Sequence, residues 1–190
     1  MKKSFGVLPT GEQTYLYTIS CGGITATVTD LGATLVSVFV PDADGNVVDV
    51  VLGYDNVADY LAGSSFFGAI VGRSANRIKG STFSLSGREY NLTPNEHGNN
   101  LHSGPNFYHT RLWTVTACTD TSISLRLNSP AGDQGYPGNA SIDVTYSLDE
   151  TGGLHIAYDA VCDRDTIFNL TNHSYFNLAG EANTLAAIDQ

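Results

Sequence analysis

Ile142-Asp143-Val144-Thr145-Tyr146-Ser147-Leu148 alternates apolar and polar residues without a break. Side chains of a strand point to opposite faces in turn, so Ile142, Val144, Tyr146 and Leu148 share one face and Asp143, Thr145 and Ser147 the other. After Gly152-Gly153 the pattern resumes, with Leu154, Ile156, Tyr158 and Ala160 as a matching apolar face. Two such runs across a glycine turn read as an antiparallel pair, packed on one side and wet on the other.

The same period extends upstream. Ile24, Ala26 and Val28 alternate with Thr25, Thr27 and Thr29, and Gly22-Gly23 separates them from a strand-like run at 15–20. A run at 35–40 stops at Pro41, and Asp44-Gly45 is a hairpin signal leading into 47–52. Further runs at 82–85 and 89–92 flank Ser86-Gly87-Arg88, and runs at 112–118 and 123–127 turn at Thr119-Asp120-Thr121. Residues 55–61 are the best short helix candidate, and no long helical period occurs. The expectation is an all-β chain, an antiparallel β-sandwich or barrel, with 1–190 as a single domain.

Composition narrows the function classes. The 190 residues carry a formal net charge of −10 with nine Lys and Arg, which argues against nucleic acid and against anionic membrane surfaces. Cys21, Cys118 and Cys162 are odd in number and far apart, which excludes a disulfide framework or a zinc motif and suggests a reduced, cytoplasmic setting. The first nine residues begin basic but lack an apolar core, so no signal peptide or membrane span is expected.

Two loops interrupt the strands. Residues 93–110 hold His97, His102 and His109 among asparagines, glycines and prolines, and 128–140 is built on Gly132, Gly135, Pro137 and Gly138. Long loops in compact domains often carry function. A metal site from His97, His102 and His109 is conceivable, but their spacing matches no recognised ligand pattern. His97 and His109 have no distinguishing neighbours in sequence. His155 falls on the polar face of its strand and is expected to face solvent.

Three stretches concentrate hydrogen-bonding chemistry. Gly72-Arg73-Ser74-Ala75-Asn76-Arg77-Ile78 gathers two of the few arginines, whose guanidinium forks suit vicinal hydroxyls or a carboxylate, or else a structural ion pair. Asn99-Asn100-Leu101-His102-Ser103-Gly104 places an imidazole in a loop. In Phe168-Asn169-Leu170-Thr171-Asn172-His173-Ser174-Tyr175-Phe176-Asn177-Leu178, a strand reading sends Phe168 and Leu170 to the core and Asn169, Thr171 and His173 outward. That row suits a polyhydroxylated ligand, and equally an edge strand with solvated polar groups. An imidazole adds a proton that moves near neutral pH.

Taken together and in order, these three stretches resemble the aldose 1-epimerase (galactose mutarotase) family. Leu31-Gly32-Ala33, Asp49-Val50-Val51-Leu52-Gly53-Tyr54, Phe67-Gly68-Ala69 and Gly135-Tyr136-Pro137-Gly138 add to the resemblance, which runs from about residue 24 to 180. It implies a galactose mutarotase-like supersandwich that interconverts the α and β anomers of free aldoses without cofactor. It implies His173 as general acid, His102, Asn76 and Arg77 as sugar contacts, and Ser174 and Tyr175 beside the acid. The family's Glu base and a further sugar-binding Asp fall beyond the third motif, and Glu181 and Asp189 match neither. The chain therefore reads as a C-terminally truncated version. An open sheet edge is expected to drive self-association or to accept a complementing chain. A monosaccharide-binding module without turnover and a sugar-phosphate epimerase are the alternatives.

Overall fold

A computed structural model describes residues 1–182. The first sheet is a meander of β1 (Lys2–Val7), β2 (Gln13–Cys21), β3 (Ile24–Thr29), β4 (Thr34–Pro41) and β5 (Val47–Asp49), each antiparallel to the next. A helix, α1 (Val57–Ala62), follows. Its first turn is capped by the Asn56 side chain, which accepts from the Asp59 N–H at 2.9 Å and satisfies a donor with no intrahelical partner. The short strands β6 (Ile70–Val71), β7 (Arg77–Ile78), β8 (Thr82–Leu85), β9 (Arg88–Asn91) and β10 (Asn100–Leu101) line the middle of the chain. The second large sheet is β11 (Thr114–Cys118), β12 (Ser122–Ser129), β13 (Ala140–Leu148) and β14 (Leu154–Cys162), again antiparallel and in order. A two-residue strand, β15 (Thr171–Asn172), pairs with β6.

The two large sheets face each other across one core. Ile19, Ala26 and Val28 of the first and Ile123, Leu125, Ile142, Val144 and Tyr146 of the second are fully buried in it. The alternation read in β13 appears as strict burial alternation, because one pleat face packs on the opposite sheet and the other meets water. Tyr146 ties the sheets together, donating its hydroxyl to the Ala33 carbonyl at 2.7 Å. These are the antiparallel sheets expected from period two.

The sequence reading differs from the structure in two places. The basic N-terminus, read only as lacking a leader, is an edge strand hydrogen-bonded to β2. The stretch 168–178 keeps only two residues in a strand; the rest is irregular chain held by side-chain and single backbone bonds. Phe168 and Leu170 nonetheless pack on the core as expected. His155 is exposed on the outer face of β14, where its ring lies 2.6 Å from an Asp149 oxygen.

Candidate functional site

Two short ladders carry the site. Pairing of β7 with β10 sets Leu101 opposite Arg77, which brings the loop histidine His102 against Asn76. The Asn76 N–H donates to His102 Nδ1 at 3.1 Å, and the His102 N–H donates to the Asn76 carbonyl at 3.0 Å. An imidazole accepting at Nδ1 is the neutral ring protonated at Nε2, so its remaining N–H is free to donate outward. Leu101 is clamped in turn by Asn95, whose amide oxygen accepts from its N–H at 2.6 Å and whose amide donates to its carbonyl at 2.9 Å.

The third motif joins this unit from the other side. The Asn169 carbonyl accepts from the Ala75 N–H at 2.7 Å, and the Asn169 N–H donates to the Arg73 carbonyl at 2.9 Å. Next along, β15 pairs with β6, and the His173 backbone is held by the turn at 66–69. Its N–H donates to the Ala69 carbonyl at 2.9 Å, and its carbonyl accepts from the Gly68 N–H at 3.1 Å. Gly68 is required here, since a Cβ at that position would meet the Leu35 carbonyl and φ is +63°.

The result is one open groove of about 620 Å³. Asn76, Arg77, His102, His173, Ser174 and Tyr175 all line it, with Asn169, Thr171 and Asn172 on its floor. The His102 and His173 rings stand 5.3 Å apart, nearly perpendicular at 80°. Tyr175 lies 5.1 Å from the His173 ring and is exposed. Burial, with help from the neighbouring His173 and Arg77 charges, pushes His102 down to about 4, which keeps it neutral at physiological pH. The Ser174 hydroxyl is buried without a hydrogen-bond partner among the described residues, and the Ser174 N–H donates to the Asn172 side chain at 3.0 Å.

The two arginines of the first motif part company. Arg73 is fully buried and donates to the Pro137 carbonyl at 2.8 Å, to the Ser129 hydroxyl at 2.7 Å and to Thr166 at 3.1 Å, stitching the second loop to the core. It is the structural arginine. Arg77 is exposed and forked on Glu96, at 2.6 and 2.9 Å. Its other guanidinium nitrogen reaches the Asn76 amide oxygen at 3.3 Å.

Sequence reasoning missed two residues. His109, without distinguishing neighbours in sequence, sits 4.5 Å from the Phe66 ring beside the groove histidines. Burial pushes it down to about 4 as well. Phe66 directly precedes Phe67-Gly68-Ala69 and carried no signal of its own. Among the described residues no three His, Cys, Asp or Glu side chains form a metal-ligand set. None of the described residues that line the groove is a carboxylate. Glu181 lies in a different cavity with Asp49 and Asp55, and Asp189 lies outside the described residues.

Two imidazoles and several side-chain amides thus share one groove of a β-sandwich. The aldose 1-epimerase family model matches residues 15–189, and the chain belongs to that family. Galactose mutarotase of Sus scrofa is 41% identical over 178 residues, covering 93% of this chain and 52% of its own length. Aldose 1-epimerase of Escherichia coli K12 is 38% identical over 174 residues, covering 91% and 50%. The solved structure of a GalM/aldose epimerase homologue from C. elegans superposes with a TM-score of 0.83 at 39% identity, over 87% of this chain and 51% of that one. Galactose 1-epimerase from Lactobacillus acidophilus NCFM gives 0.80 at 29% identity, over 94% and 53%. The chain spans about half the length of the curated relatives it matches. In the described residues no helix is long and apolar enough to cross a membrane.

Proposed function

We propose that the groove binds a free aldose of the galactose or glucose type and takes part in interconverting its α and β anomers. The observation that carries this is the convergence of the two imidazoles, 5.3 Å apart, with Asn76 and Arg77 on one groove. Anomer exchange opens a hemiacetal. A proton is delivered to the ring oxygen and one leaves the anomeric hydroxyl. The aldehyde then turns about its bond to the next carbon, and closure on the other face restores both protons. His173 is the general acid, a role that typically contributes ~10²–10⁴-fold. His102, neutral and protonated at Nε2, donates a hydrogen bond to the sugar. Asn76 and Arg77 bind hydroxyls, and Ser174 and Tyr175 flank the acid.

The anomeric proton also needs an acceptor. A second reading is a monosaccharide-binding module without turnover, which the row of amides and imidazoles along the groove would serve equally well. A sugar-phosphate substrate is disfavoured, since the one guanidinium on the groove is already forked on Glu96. Polarimetry on freshly dissolved α-galactose separates the two readings. Equilibration faster than the buffer blank, lost in His173→Asn, supports the epimerase. Equilibration at the blank rate with sugar still bound in calorimetry supports the module.

We also propose that the outer edge of β14 associates with a second copy or a complementing chain. That edge has no strand partner among the described residues, and Tyr158 and Val161 are exposed along it.

A further inference from the structure

Phe66 lies just outside the Phe67-Gly68-Ala69 stretch. Its φ is +55°, a conformation that bulky side chains rarely adopt, and surrounding structure must hold it there. Asn76, His102 and Ser103 also have positive φ, at +62°, +53° and +61°, so four such residues gather at one site. The Phe66 ring is the hub of an aromatic cluster. It lies 4.9 Å from His102, 5.6 Å from His173, 4.5 Å from His109 and 5.2 Å from Phe107. The backbone adds a second link. The turn Phe66 opens, closed by the Ala69 N–H on its carbonyl at 3.1 Å, is the same turn that holds the His173 main chain.

We infer that Phe66 is a positioning residue, packed against both groove imidazoles and backed by His109 and Phe107, that fixes their mutual angle and the tautomer of His102. The three rings stand at the corners of a nearly equilateral triangle, so the Phe66 ring limits how far either imidazole can turn. Without it, His102 could rotate away from the Asn76 N–H. Its Nδ1 would then exchange roles with Nε2, and the donor aimed at the groove would be lost. His109 packs on Phe66, so its neutral ring serves as an apolar group rather than reaching the sugar. The kinetic consequence rests on the epimerase reading; the structural one does not.

The test uses Phe66→Leu, which keeps apolar bulk, with Phe66→Met read in the same way if the leucine variant fails to fold, and Phe66→Tyr as the ring-retaining control. Nitrogen NMR of the imidazoles is expected to give one His102 tautomer in the wild type and in Phe66→Tyr. In Phe66→Leu a mixture is expected. Polarimetry is expected to show kcat down by about tenfold, from a misoriented His173, and calorimetry to show sugar affinity down by about tenfold, from the lost His102 donor. A single unchanged His102 tautomer in Phe66→Leu overturns the inference, as does a mixture in Phe66→Tyr. If the wild type does not turn over sugar, the epimerase reading fails alone, and the tautomer result still decides the role of Phe66.

Discussion

Asn76 and His102 hold each other reciprocally, backbone N–H to ring Nδ1 at 3.1 Å and backbone N–H to carbonyl at 3.0 Å. The first bond selects a ring tautomer and the second fixes where the ring starts. Residues 26 positions apart thereby become a single unit of the groove. His102→Gln keeps a donor but loses that selection. Its sugar affinity is expected to fall by about tenfold, roughly 1.4 kcal/mol, in calorimetry with galactose.

The two arginines of one motif should respond oppositely to the same exchange. Arg73→Lys leaves carbonyls of the second loop without donors, and an ammonium cannot reproduce the fork. Urea unfolding is expected to show a loss of about 3 kcal/mol. Arg77→Lys loosens an exposed pair with Glu96, which solvent screens and which adds little to stability. It should leave the unfolding midpoint in place and weaken sugar binding.

Acid should act on stability through the buried histidines. His102 and His109 each lie at about 4 in the fold, below an ordinary value near 6.5, chiefly because burial opposes their charge. The unfolded chain therefore takes up these protons first as pH falls. Their contribution is complete above about pH 6.5 and is lost as pH drops towards 4. Asp30 and Asp49, raised by burial, push the other way, so the comparison must be internal. The urea midpoint of His109→Gln is expected to fall less between pH 7 and pH 5 than that of the wild type.

Tyr146 links the core to the groove. Its hydroxyl donates to Ala33 at 2.7 Å and accepts from the Asn172 amide at 3.2 Å, and Asn172 in turn receives the Ser174 N–H. Tyr146→Phe is expected to cost about 1–2 kcal/mol in urea unfolding. It should also lower sugar affinity, although the residue never touches the groove.

The open edge of β14 predicts concentration-dependent association. Sedimentation velocity is expected to show a larger species as protein concentration rises, and Val161→Lys to suppress it, since an edge charge opposes strand addition. A single monomeric species at all concentrations would remove the edge as an interface.

The antiparallel sheets were legible because their cause is local. Side-chain alternation in β3 and β13 and glycines at the turns dictate which face is buried, and no distant residue is needed to read them. The groove residues were legible only as fragments of a family pattern. Composition and spacing left Arg73 and Arg77 equivalent, and only the burial of the first separates them. His109 and Phe66 were legible only by association, the first with the histidine loop at 93–110 and the second with Phe67-Gly68-Ala69. Which rings arrive beside them is decided by the fold.

Strand period, turn chemistry and charge balance belong to short stretches of chain, so the residue order alone determined an acidic, antiparallel all-β chain, sandwich or barrel, with polar clusters near 76, 102 and 173. Which of those clusters share a groove, which arginine is buried and which imidazole is neutral were decided only by tertiary structure. Those properties follow from desolvation and from hydrogen bonds between residues dozens of positions apart, and neither exists until the sheets have closed on their core.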